Sequence, residues 1–177
     1  LNEKELYWFR FPNKEELKKL KLQITHYGFY ENWDPYKNYQ IAKKYCGLTE
    51  NETLSEGTYT NFSQIDQKIY GLHVYFMYLK FGFGRATDHV GIDIRNKRLT
   101  RDEGLELVKK FEGKIPKKYY DEFLQEYSLT EKEFLDICEK FTNKEIFKTN
   151  SDGSLIRDKN NDVEKILKVS DSTATRY

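Results

Sequence analysis

Helix-breaking residues are scarce in this sequence. It has ten glycines and three prolines in 177 residues, well below the roughly 12% that the two types average together. Collagen-like, proline-rich and low-complexity disordered classes are excluded. Cysteine is nearly absent. Cys46 and Cys138 are the only two, and they are far apart and unpatterned. They form no zinc framework and suit a reducing compartment. Neither sign of charge is in excess: 30 Lys and Arg face 29 Asp and Glu, a formal charge of +1. A dedicated nucleic-acid binder carries a basic surplus, so no nucleic-acid partner is expected. No apolar run approaches the roughly 18 residues of a membrane span. The opening LNEKELYWFR carries charges where a signal peptide has its apolar stretch. The expectation is a cytoplasmic protein with no membrane partner. His26, His73 and His89 share no metal-ligand spacing, so no metal site is expected. A serine nucleophile elbow, a Cys–His pair and a Walker loop are also missing.

What is present favours helices. Aromatic residues make up 16% of the chain against only 38% hydrophobic residues in all, so Tyr and Phe must build much of the core. Lys and Glu are abundant and helix-compatible. The length suits one domain with a small appendage. Asn13–Glu16 reads as a capping box before Leu17 and Leu20. The alternation around Leu22 and Ile24 reads as a short strand ending near His26, followed by an aromatic loop from Tyr27 to Trp33. Asp34-Pro35 opens a helix that ends at Gly47. Residues 48–61 read as an ordered polar loop or extended segment. Ser63–Asp66 reads as a second capping box, with Ile65, Ile69, Leu72, Phe76 and Leu79 forming a helical stripe behind it. Further helices are expected after Thr87, after Thr100, around Tyr120–Tyr127, after Thr130, and from Val163 to Val169. A turn is expected at Asn150–Gly153. The fold class is mainly α, with one or two short strands near the N-terminus.

Three constellations can carry chemistry. The first is Lys80-Phe81-Gly82-Phe83-Gly84-Arg85-Ala86-Thr87-Asp88. Two glycines sit between two cations just before a helix start, an arrangement that suits a phosphate or a sugar carboxylate. It equally suits a glycine helix break between solvated charges. The second is Arg95, Arg98 and Arg101 among Asp88, Asp93, Asp102 and Glu103. It is either a bidentate phosphate clamp or an ion-pair network between helices. The third is Glu56-Gly57-Thr58-Tyr59-Thr60-Asn61 followed by Asp66, either a polar ligand loop or a cap and turn. The aromatic run Tyr27, Phe29, Tyr30 and Trp33 can stack on a base or sugar or serve as core.

In combination and order these segments resemble a known family. Tyr30–Asp34, Glu56–Asn61, Lys80–Asp88, Asp93-Ile94-Arg95 and Thr100–Gly104 are similar to the C-terminal half of the N-acetyl sugar amidotransferases. These are the WbpG and pseudaminic acid biosynthesis protein A type of bacterial surface-polysaccharide, O-antigen and flagellin-sugar enzymes. The resemblance spans roughly residues 20–148. It implies an ATP-dependent enzyme of the PP-loop kind on an α/β nucleotide-binding domain, with ATP and Mg2+ as cofactors of the full-length protein. It implies that ATP adenylylates the carbonyl oxygen of a sugar N-acetyl group, that ammonia then attacks the carbon, and that AMP leaves with that oxygen to give an acetamidino group. The implied partners are a HisH-like glutaminase and a HisF-like ammonia-delivering subunit, with a sugar or sugar nucleotide as substrate. Lys80, Arg85 and Asp88 are the implied catalytic or phosphate-contacting residues, with Arg95 and Arg101 next. Gly82 and Gly84 allow close approach, and Glu56, Gly57, Thr58 and Asp66 line the sugar side.

The family's Ser-Gly-Gly-x-Asp-Ser loop is missing, since no two glycines in this chain are adjacent. The chain therefore reads as a C-terminal portion that binds no cofactor tightly and is inactive alone. Residues 1–34 are expected to be an edge of the nucleotide-binding domain, 35–169 the helical substrate-side domain, and 170–177 a frayed tail. Apolar surface around Tyr7, Trp8 and Phe9 implies self-association. The alternatives are a helical docking module without catalysis, or part of another PP-loop enzyme such as a tRNA-thiolation protein.

Overall fold

The computed structural model describes residues 2–21 and 23–166. The chain divides into two compact units, Leu1–Pro35 and Tyr36–Tyr177. The first carries α1 (Glu3–Leu6), a 3-10 turn at Tyr7–Phe9, α2 (Lys14–Leu20) and a second 3-10 turn at Tyr27–Phe29. Asn13 accepts from the Glu15 and Glu16 N–H groups, and Glu16 returns the bond, so the expected capping box starts α2. Among the described residues of this unit no hydrophobic side chain is buried; Trp8, Phe9 and Phe29 are each more than four-fifths exposed. The strand expected near Leu22–His26 does not form over the described residues 23–26, and Leu22 lies outside them. A short alternating segment makes a strand only when a neighbour accepts its hydrogen bonds, and none pairs with it among the described residues.

Helix α3 (Pro35–Cys46), all but its first residue in the second unit, is followed by a loop closed on itself. Asn51 N–H donates to the Asn61 carbonyl at 2.9 Å and Ser55 N–H to the Thr60 carbonyl at 2.8 Å. Then come α4 (Tyr70–Phe81), α5 (Arg85–Arg95), α6 (Arg101–Phe111), α7 (Tyr120–Glu126) and α8 (Glu131–Phe141). Helix α4 is the core element. Leu72, Tyr75, Tyr78 and Leu79 pack against Phe134 and Cys138 of α8, with Phe147, Leu155 and Val163 closing the far side. Helices α5 and α6 lie close because position 104 has no side chain. A Cβ there would sit 2.5 Å from Val90 Cγ1. The capping boxes expected at Thr100 and Thr130 are both formed.

Three sequence expectations fail here. Helix α4 begins at Tyr70 with no side-chain cap, not behind Ser63. Gln64 takes a left-handed φ of 53°, and the Ser63 carbonyl accepts from the Arg85 guanidinium, so this segment is drawn across to α5. Helix α5 begins at Arg85, and its N-cap is Gly84 rather than Thr87. The segment from Val163 is no helix over its described part. The chain after α8 forms three antiparallel bridges, Phe147 with Lys165, Thr149 with Leu155, and Arg157 with Val163. The Lys148, Ile156 and Glu164 N–H groups are satisfied across these bridges at 2.8–3.0 Å, which leaves nothing for a helical ladder. The expected turn at Asn150–Gly153 closes the first of the hairpin-like returns. Residues 167–169 of the expected helix and the 170–177 tail lie outside the described residues.

Candidate functional site

The N-terminus of α5 is an anion cradle, and the protein supplies its own anion. One carboxylate oxygen of Glu112 accepts from the Gly84 N–H at 2.8 Å and the Thr87 N–H at 3.0 Å. The other accepts from the Thr87 hydroxyl at 3.1 Å. A helix start favours negative charge, whereas a carboxylate at the end of a helix is unfavourable. Glu112 follows the last residue of α6, so its charge is misplaced for α6 and well placed for α5. Glu112→Ala strands both N–H donors and the Thr87 hydroxyl and is expected to cost about 2 kcal/mol, read as a lower urea midpoint. Glu112→Gln keeps one acceptor oxygen and should lose about half as much. Wild-type stability in the alanine variant would rule out this cap.

Arg85, the first residue of α5, is 5% exposed. Its Nη2 donates to the Ser63 carbonyl and its guanidinium lies 4.8 Å from the Tyr70 ring centre. Among the described residues no carboxylate pairs with it. Burial lowers its pKa from the ordinary arginine value, with Tyr70 acting the other way. Arg85 lines a cleft of about 280 Å³ together with Ser55, Asp66, Lys68, Tyr70 and Lys118. Glu56 lines the same cleft and also braces it. Its Oε1 accepts from the Lys117 N–H, and from the Lys118 N–H at 2.8 Å. Position 71 must be glycine for this, because a Cβ there would lie 2.5 Å from Glu56 Oε2. Gly57 and Gly84 line a gap beside Glu112 of only about 10 Å³, room for one water at most.

The loop at 51–61 is fastened to α5 by side chains. Thr58, fully buried, places its hydroxyl 2.7 Å from His89 Nδ1. The Tyr59 hydroxyl donates to Asp93 at 2.5 Å, and Arg98 donates to the other Asp93 oxygen from Nε at 2.8 Å. Burial, with the charge of Arg85 added, pulls the His89 pKa down to about 4, against the opposing pull of Asp93. A depressed folded-state pKa means stability is complete above the unfolded value of about 6.5 and drains away as pH falls toward 4. The expected loss across that window is at most about 3 kcal/mol. His89→Gln, which still bonds Thr58, should flatten the fall in stability between pH 6.5 and 4 measured by urea unfolding. An unchanged slope would assign it to other groups.

The sequence-predicted residues therefore separate. Glu56, Asp66 and Arg85 meet at one cleft. Thr58 sits behind the loop on His89. Lys80 is exposed at the end of α4, its ammonium 5.5 Å from the Phe81 ring centre. Gly82 ends α4 with φ 75°, its N–H on the Tyr78 carbonyl at 2.8 Å. Asp88, Arg95 and Arg101 are exposed and do not line that cleft. In the arginine cluster, Arg98 and Asp93 form the ion pair, at 2.7 Å. Sequence reasoning missed Glu112, Lys118 and Tyr70. For Glu112 a signal existed: an acid where the α6 dipole favours a base.

A family model described as LPS biosynthesis protein WbpG-like, C-terminal domain, matches residues 56–162. The chain belongs to this family. The match begins at the cleft-lining Glu56 and encloses Arg85, Glu112 and Lys118. The WbpG-like domain is thereby associated with lipopolysaccharide biosynthesis. No curated protein matches the chain. Among the described residues no helix is long and apolar enough to cross a membrane, and no group of three or more His, Cys, Asp or Glu is placed to hold a metal ion.

Proposed function

We propose that this domain is the substrate-side portion of an ATP-dependent N-acetyl sugar amidotransferase, and that its cleft holds an anionic sugar bearing an N-acetyl group. The observation that carries this is Arg85, a guanidinium buried at a cleft without a carboxylate partner among the described residues. An unpaired buried charge is costly, and a ligand carboxylate or phosphate relieves that cost through paired hydrogen bonds. Lys68 and Lys118 add positive charge, and Asp66 is an acceptor for hydroxyls.

In this reading the described residues of the cleft and of the α5 start do not fit ATP and Mg2+. The N–H groups that open α5 are taken by Glu112, and the acids present make no metal-binding group among the described residues. The nucleotide chemistry belongs on a PP-loop domain. In this reading the acetyl carbonyl oxygen is replaced by nitrogen from ammonia, supplied by a HisH-like glutaminase through a HisF-like subunit. The residues of this domain bind and orient the sugar.

Thermal unfolding tests the reading. N-acetylneuraminic acid, which has both a carboxylate and an N-acetyl group, should raise the midpoint, and neutral N-acetylglucosamine should not. Failure of anionic sugars and pyrophosphate alike to protect would sink it.

A further inference from the structure

The sides of the Arg85 cleft are held unequally. The 51–61 loop gives Asn51, Ser55 and Glu56 to the lining and is fastened at several points. It is tied to itself through the Asn51 and Ser55 N–H groups, to α5 through Thr58 and Tyr59, and to the segment before α7 through Glu56. Residues 64–68 also line the cleft, all five in succession, with almost none of this support. From 63 to 69 no backbone N–H donates a hydrogen bond to another described residue, so solvent must serve those groups. Apart from carbonyls that lead into α4, the hydrogen bonds of this segment are two. The Arg85 guanidinium holds the Ser63 carbonyl. Lys68 pairs with Glu122 at 2.8 Å, but both side chains are about 60% exposed or more, and such a pair contributes little.

The ends of the segment are fixed. Phe62 stacks on Tyr39 of α3 with ring centres 4.0 Å apart, and Tyr70 opens α4. Between them Gln64 holds a left-handed φ of 53°, which is unfavourable for a residue with a Cβ. A short span fixed at both ends, strained within and pinned by one guanidinium belongs to the low-stability end of a fold. The pin is the same residue that faces the ligand anion. Arg85 carries five N–H donors, and its hydrogen bond among the described residues uses only Nη2. We propose that residues 63–69 are a strap that closes over the ligand of the cleft, with Arg85 as the group on which ligand and strap meet. An anion on the remaining donors fixes the plane of the guanidinium, and the fixed plane holds the Ser63 carbonyl. Closure brings Gln64, Asp66 and Gln67 over the polar groups of the ligand and shields the charge pair from water, which strengthens it. This rests on the function proposed for the cleft and adds how the site shuts.

Hydrogen exchange of the full chain, with calorimetric titration beside it, tests the strap. The probes are N-acetylneuraminic acid and pyrophosphate. Saturation with either should slow exchange of the 63–69 amides at least about tenfold. Gln64→Pro forbids the left-handed turn and removes an N–H that bonds no described residue, so affinity should fall at least about tenfold. Its urea midpoint should stay at the wild-type value, because the core of α4 and α8 lies outside the strap. Gln64→Gly also lacks the side chain but keeps the turn accessible, so its affinity should stay within about threefold of wild type. Binding with unchanged exchange at 63–69 overturns the strap alone. Equal losses in the glycine and proline variants overturn it too, by assigning the effect to the Gln64 amide. A lowered midpoint in Gln64→Pro makes the turn part of the folded core and also overturns it. Failure of both probes to bind the wild type overturns the reading of the Arg85 cleft, and the strap with it.

Discussion

Alanine at position 113 is expected to destabilise the protein by about 3 kcal/mol. Gly113 follows α6 with φ 76°. A Cβ there would lie 2.6–2.8 Å from the ring carbons and hydroxyl of Tyr78. Tyr78 cannot step aside, because it is 8% exposed and its ring packs edge-on to Phe147 at 5.3 Å. Two costs therefore add: roughly 1–2 kcal/mol for a side chain in the left-handed region, and a comparable cost for overpacking. The neighbouring Glu112 would shift too, weakening its hold on Gly84 and Thr87. Gly153→Ala is the control. Its φ is 82°, but the nearest atom to a new Cβ is the flexible Lys144 Nζ at 4.0 Å, so only the backbone cost of about 1 kcal/mol applies. Urea unfolding of the two variants isolates the clash with Tyr78. Equal losses would show that the ring yields.

What could be read from the sequence follows from how local each determinant is. Helices α2, α6 and α8 start with an exchange between a side chain and backbone three residues on, at Asn13, Thr100 and Thr130, and a one-dimensional pattern contains that exchange whole. The mainly helical class was legible for the same reason. Ser63 and Thr87 have the same local look, but their backbone and side chains are claimed by distant partners: Arg85 takes the Ser63 carbonyl, and Glu112 takes the Thr87 donors. The bridged returns after α8 were missed because Val163 and Lys165 pair with Arg157 and Phe147, and pairing partners are not written into a segment's own spacing. At the site, the residues that bring their own motif were named in advance, such as Arg85 behind two glycines. Glu112 and Lys118 reach it only through the packing of α6 and the segment before α7. The glycine-flanked helix start carried the right physics for an anion. What spacing cannot say is that the anion is a side chain 28 residues downstream of Gly84.

Arg85→Met separates a ligand-binding arginine from a structural one. An arginine retained for stability would be missed in the folded state. At Arg85 the balance runs the other way: the side chain is buried, lacks a carboxylate partner among the described residues, and makes one hydrogen bond, to the Ser63 carbonyl. Replacing a poorly compensated buried charge with an apolar side chain of similar length is often neutral or stabilising. The expected urea stability of Arg85→Met therefore lies within about 1 kcal/mol of wild type, the lost Ser63 bond offsetting the relieved desolvation. Binding of an anionic sugar should fall at least about 30-fold, because two charge-assisted bonds and their fixed geometry are removed together. Arg85→Lys keeps the charge but not the planar pair of donors, so its affinity should fall between the two. Wild-type affinity in the methionine variant would remove Arg85 from the site. A stability loss of several kcal/mol with affinity kept per folded molecule would make it a bracket for the Ser63 turn.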